Sequence, residues 1–170
     1  ETLFRHAIVV TQNNYIAHLN LAITLDQQDR CQEALAEYRE ALRLSPDRQI
    51  IHFNIGCLLD RLNRPAEALA EYQAAIRFDP KVARWHSSAG SDLATLGHPD
   101  EALQEFAEAE RLKPDYAQPH IEAAKLCFQQ SRDAEAVAEL HAAVRAEPDN
   151  FHTLATVARY LAANADADAR

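Results

Sequence analysis

Four prolines, Pro46, Pro80, Pro114 and Pro148, stand 34 residues apart, and each closes a version of one phrase: EYREALRLSPD, EYQAAIRFDPK, EFAEAERLKPD and ELHAAVRAEPD. A fixed period of this size marks a repeat architecture, in which one supersecondary unit recurs and buries its apolar face only against its neighbours. The period sets repeats at 15–48, 49–82, 83–116 and 117–150.

Each repeat reads as two helices joined by a short turn. In the first helix Leu21, Ala22 and Leu25 correspond to Ile55, Gly56 and Leu59, then to Ala89, Gly90 and Leu93, then to Ala123, Ala124 and Cys127. In the second helix Ala34, Tyr38 and Ala41 correspond to Ala68, Tyr72 and Ala75, to Ala102, Phe106 and Ala109, and to Ala136, Leu140 and Ala143. Spacings of three and four put each set on one helical face. Small residues let neighbouring helices approach, and the ring fills the gap between them. Asp29, Asn63, Gly97 and Ser131 fall where the first helix must stop, in a left-handed conformation. Pro65 and Pro99 then sit in a first turn, where a missing N–H costs nothing. Asp47, Asp115 and Asp149, together with Asn13, are expected to cap the following helices, while Lys81 breaks that series.

This pattern resembles the tetratricopeptide repeat (TPR) family. The carrying residues are the four Ala-x3-Tyr/Phe-x2-Ala-x4-Pro sets and the Leu-Ala and Ile-Gly pairs at 21–22 and 55–56. The departures are His18, His52, His86 and His120 in place of the consensus Trp, Leu140 in place of an aromatic, and Glu110 where Leu42, Ile76 and Val144 are apolar. The resemblance implies an all-α, right-handed superhelical solenoid of antiparallel helix pairs that acts by protein–protein interaction. Residues 1–14, with Phe4, Ala7 and Ile8, match the second helix of a preceding repeat. Residues 151–163 match a further first helix, followed by a tail at 164–170. The chain is therefore expected to be a piece of a longer protein.

The bulk composition agrees with helices and excludes several functions. The chain is 48% hydrophobic and 25% charged, with only 3 Gly. Its formal net charge of -9 argues against a nucleic-acid backbone or an anionic membrane surface as partner. No apolar run approaches the roughly 18 residues of a membrane span, so no direct membrane contact is expected from this segment. Cys31, Cys57 and Cys127 are odd in number and fall at three different places in the repeat. They make neither a disulfide framework nor a zinc motif; buried, inert thiols in a reducing, cytoplasmic compartment are expected. No phosphate-binding glycine loop, HExxH or GxSxG is present. Ser87, Ser88 and Ser91 lie near His86 with no orienting acid evident, so no enzyme activity and no cofactor are expected. The four histidines would sit on stacked helices about 8–10 Å apart, too far to share a metal, and are expected to pack in place of Trp. Glu33, Glu37, Glu67, Glu71, Glu101, Glu105, Glu135 and Glu139 are expected to form a solvated outer face.

TPR superhelices line a concave groove with their first helices. By register the groove would hold Ile16, Leu19, Asn20 and Ile23; Ile50, Phe53, Asn54 and Cys57; Arg84, Ser87, Ser88 and Ser91; Gln118, Ile121, Glu122 and Lys125; and finally His152, Thr156 and Arg159. The first half is apolar and reads as a contact surface. The second half is small, polar and basic through Arg84, Lys125 and Arg159, which against an acidic chain points to an anionic ligand group. The carboxylate clamp of chaperone-binding TPRs is matched only at Asn54 and Arg84. The asparagine ladder of O-linked N-acetylglucosamine transferase is matched at Asn20 and Asn54. The expectation is a scaffold that binds a peptide or partner segment. The alternatives are a recruiting arm of a larger enzyme, or self-association. FRHAIVVTQNNYIAHLNLA also resembles the junction in bacterial membrane proteins that carry TPRs after a glycosyltransferase-like region, which would place the repeats outside the cytoplasm.

Overall fold

The computed structural model describes residues 3–6 and 14–165, with side chains to residue 163. Ala7, Ile8, Asn13 and the tail beyond residue 165 lie outside the described residues. From residue 14 onward every regular element is a helix: α1 (Tyr15–Gln27), α2 (Cys31–Leu44), α3 (Gln49–Arg61), α4 (Pro65–Phe78), α5 (Ala83–Thr95), α6 (Pro99–Leu112), α7 (Ala117–Gln129), α8 (Asp133–Ala146) and α9 (Phe151–Ala165). They fall into two compact units, Glu1–Pro80 with α1–α4 and Lys81–Arg170 with α5–α9. Within each unit, the helices of a repeat pack as an antiparallel pair.

The turns explain why each pair folds back. Asp29, Asn63, Gly97 and Ser131 adopt φ of 61°, 56°, 83° and 58°. This left-handed residue lets the next N–H reach back: Arg30, Arg64, His98 and Arg132 donate to the carbonyls of Leu25, Leu59, Leu93 and Cys127 at 2.9–3.0 Å. The same four residues then precede the second helix and pair with the acid of its first turn. Arg30 Nη2 meets Glu33 at 2.6 Å, Arg64 Nη2 meets Glu67 at 2.6 Å, His98 Nδ1 meets Glu101 at 3.1 Å, and Arg132 Nη2 meets Glu135 at 2.5 Å. Acids at a helix start also suit its dipole.

Capping by the aspartates is corrected. The structure places Arg48, Tyr116 and Asn150, each one residue later, in front of α3, α7 and α9; Asp47 instead accepts from Ser45 Oγ at 3.2 Å. The true side-chain caps are asparagines. Asn14 Oδ1 accepts from Ala17 N at 3.0 Å, and Asn150 Oδ1 accepts from the backbone N–H of His152 at 2.9 Å and of Thr153 at 3.3 Å.

All the small and aromatic positions of the repeat are buried. The fit is closest at the two helical glycines. A Cβ on Gly56 would lie 2.5 Å from Tyr72 Cε1, and one on Gly90 would lie 2.6 Å from Phe106 Cε1. Tyr72 has little room to retreat, because its hydroxyl donates to Asp60 Oδ2 at 2.5 Å and its ring leans on Phe53 at 5.6 Å between centroids. Gly56→Ala is therefore expected to destabilise by about 1 kcal/mol, an overpacking cost of about 1–3 kcal/mol less the roughly 1 kcal/mol that Ala gains over Gly in a helix. Urea unfolding followed by circular dichroism measures this; a more stable variant would mean that the ring moves freely. Across unit 1, Arg61 on α3 bonds Asp26 at the end of α1 and, at 2.6 Å, Asp29 in the turn after it.

Candidate functional site

In unit 1 the predicted contact face lies on α1 and α3. Ile16 and Ile50, in equivalent positions, are the exposed apolar pair at 53% and 44%. Beside them Leu19, Asn20, Ile23 and Asn54 are half-buried. The side-chain amides of Asn20 and Asn54 meet no hydrogen-bond partner among the described residues; the Asn20 backbone carbonyl accepts from Thr24 Oγ1 at 2.8 Å. Phe53 is corrected. It is only 6% exposed, and its ring packs on Tyr72, so it supports the face from beneath.

In unit 2 the register positions divide. Arg84 is exposed, Ser88 and Ser91 are half-buried, and Ser87 and Ile121 are buried. A cleft of about 290 Å³ opens between α5 and α7, lined by Ser91, Ala94, Thr95, Glu122, Lys125, Leu126 and Gln129. Ser91, Glu122 and Lys125 are thus brought together, whereas Arg84, Ser88 and Arg159 do not line this cleft. Lys125 Nζ stands 3.6 Å from Glu122, which also accepts from Gln118 Nε2 at 2.9 Å. The cleft therefore carries a cation and an anion side by side, and its basic character is weaker than composition by register implies. Arg159 is exposed on α9, with its guanidinium 5.8 Å from the Tyr160 ring centroid.

The histidines do more than fill the place of Trp. Each turns Nδ1 to a glutamate of the second helix of its own repeat: His18 to Glu37 at 2.7 Å, His52 to Glu71 at 2.6 Å, His86 to Glu105 at 2.7 Å and His120 to Glu139 at 2.7 Å. Glu37, Glu71, Glu105 and Glu139 are thus corrected from a solvated outer face to partly covered acceptors. The recurring His…Glu spacing of 19 residues was the signal that could have found them. The fourth pair has a third member, Glu110, whose Oε1 lies 3.1 Å from His120 Nδ1. Burial disfavours the charged imidazole of His120, but the bonds and charges of Glu110 and Glu139 prevail and raise its pKa to about 9.

The serines near His86 form no nucleophile–base pair. His86 Nδ1 faces Glu105, and Ser91 Oγ donates to the Ser87 carbonyl at 3.1 Å. None of the three cysteines forms a disulfide; Cys127 is buried and its pKa raised by burial, whereas Cys31 and Cys57 are half-buried, less covered than expected. No helix among the described residues is long and apolar enough to cross a membrane.

Two tetratricopeptide repeat family models match, over residues 13–83 and 93–160. No curated protein matches. Among solved structures, MamA aligns with a TM-score of 0.81 at 16% identity, covering 85% of each chain. PilF of Pseudomonas aeruginosa aligns with a TM-score of 0.73 at 21% identity, over 89% of this chain and 69% of that one. YrrB, described as a TPR protein with an unusual peptide-binding site, aligns with a TM-score of 0.59 at 22% identity, over 89% and 95%.

Proposed function

We propose, since the chain belongs to the tetratricopeptide repeat family, that it is a protein-interaction scaffold whose first-helix faces bind an extended peptide or partner segment. The observation that carries this reading is the pair Asn20 and Asn54. Their half-buried amides have both donors and acceptors to offer and no partner among the described residues, and each sits beside an exposed isoleucine, Ile16 or Ile50. A polar group left half-desolvated is costly until something bonds it. A peptide backbone supplies a carbonyl and an N–H to each amide, while Ile16, Leu19, Ile23 and Ile50 receive its apolar side chains. In unit 2 the mixed lining of Ser91, Glu122 and Lys125, with Arg84, Ser88 and Arg159 nearby in register, suits a polar stretch of partner. YrrB's peptide-binding site supports the same use of the fold.

The test is a peptide array printed with free and with amidated C-termini, followed by titration of the best binder. Affinity on the order of micromolar is expected. Asn20→Ala/Asn54→Ala is expected to weaken binding about 10-fold or more, at roughly 1 kcal/mol for each lost bond. Arg84→Glu/Lys125→Glu is expected to remove preferentially those peptides that are acidic or end in a free carboxylate. Binding indifferent to both double variants would refute the site.

A further inference from the structure

Three side chains from three successive helices converge on one ring nitrogen in unit 2. His120 Nδ1, on α7, lies 2.7 Å from Glu139 Oε2 on α8 and 3.1 Å from Glu110 Oε1 on α6. One candidate ligand atom from each residue lies within 4.8 Å of the others, and no second such group of three exists among the described residues. For the other three His–Glu pairs the equivalent sequence positions are Ile8, Leu42 and Ile76, none of which carries a ligand atom. A single N–H is well given to one carboxylate at a time, so the second glutamate is surplus to a simple ion pair.

We propose that Glu110, His120 and Glu139 form a binding site for a divalent transition metal of the zinc class. Charge favours it: once the ion displaces the Nδ1 proton that the glutamates hold, a neutral imidazole and two carboxylates carry two negative charges, which a dication neutralises. Distance favours it as well. Metal–ligand bonds of about 2.0–2.2 Å place ligand atoms roughly 3–3.4 Å apart, so small side-chain rotations suffice. The three side chains are 22%, 14% and 34% exposed. That leaves water free to complete the coordination shell, as in zinc sites with three protein ligands. The imidazole selects against calcium and magnesium, which prefer all-oxygen shells. Bound there, the ion would tie α6, α7 and α8 together, which neither the scaffold reading nor the repeat pattern supplies.

Equilibrium dialysis of the 170-residue chain against zinc chloride near neutral pH tests this. One zinc per chain is expected to bind at the site. Glu110→Leu installs the residue of position 42 and keeps the His120–Glu139 pair, and is expected to lower the affinity about 10-fold or more. Glu110→Gln, which conserves volume, is expected to do the same, and circular dichroism checks the fold of both. Cobalt substitution should give visible d–d bands without thiolate charge transfer, separating the site from the three cysteines. No zinc binding at millimolar concentration, or zinc binding unchanged by both variants, would overturn the proposal.

Discussion

Phe106→Ala is expected to cost about 3–5 kcal/mol, among the largest losses from any single side chain in unit 2. Phe106 is 1% exposed and lies against the open backbone of Gly90, so truncation leaves a cavity that neither neighbour can fill. The repeat's small positions in the helix pair α5–α6, Ala89, Gly90, Ala102 and Ala109, are buried with the ring. At roughly 2–4 °C per kcal/mol for a chain of this length, the melting temperature should fall by about 6–20 °C. Trp85, the one tryptophan in the chain, is buried in α5 and follows the unfolding of unit 2 by fluorescence. Tyr72→Phe provides the contrast in unit 1. It keeps the ring and removes the hydroxyl's bonds with Asp60 and Cys57; the exposed Asp60 carboxylate returns to water, so a loss of about 1 kcal/mol is expected. Equal losses for the two variants would mean that ring burial is not what holds the pairs together.

Some of this structure is readable from residues because its cause is local. A left-handed turn residue followed by a helix start leaves its mark within a few positions, and Asp29, Asn63, Gly97 and Ser131 all adopt it. The buried faces are readable because small and aromatic residues recur at spacings of three and four with a period of 34. What escaped is set by contact between helices. Phe53 lies between exposed Ile50 and half-buried Asn54 on α3, yet its ring packs on Tyr72, and the equivalent Ser87 and Ile121 are buried too, which no spacing within one helix records. The His–Glu pairs join residues on different helices of a repeat, so helical periodicity within either one is blind to them. Within its own helix Glu110 is only a departure from the apolar Leu42, Ile76 and Val144; its partner His120 comes from the next repeat. The caps failed by one residue, since Asn150 and not Asp149 reaches the free N–H groups of α9.

Glu147 is the second escape of that kind, and it carries the second large expectation. It lies just past α8, before Pro148, in a position held elsewhere by Ser45, Asp79 and Lys113. Its carboxylate accepts from Thr153 Oγ1 at 2.7 Å, from Asn150 Nδ2 at 2.6 Å and from the Ala117 backbone N–H at 3.3 Å. One side chain thus joins the end of α8 to the starts of α7 and α9, and satisfies the hydroxyl of Thr153, which is buried. Glu147→Ala is expected to destabilise by about 3 kcal/mol, from charge-assisted bonds lost and a buried hydroxyl left without its acceptor. Fraying should begin at α9, seen as early amide exchange there. The pH dependence follows from the same bonds. The Thr153 hydrogen bond, with those from Ala117 and Asn150 and the charge of Lys113, lowers the Glu147 pKa against the opposing effect of burial. A lowered pKa means that the folded state favours the ionised form. This stabilisation is therefore fully present above the ordinary carboxylate range and is lost as pH falls through the lowered value. Urea midpoints measured from about pH 6 down to about pH 3 should fall more steeply in the wild type than in Glu147→Gln, which has no such proton to take up. Parallel acid profiles would show that Glu147 does not hold the three helices through its charge.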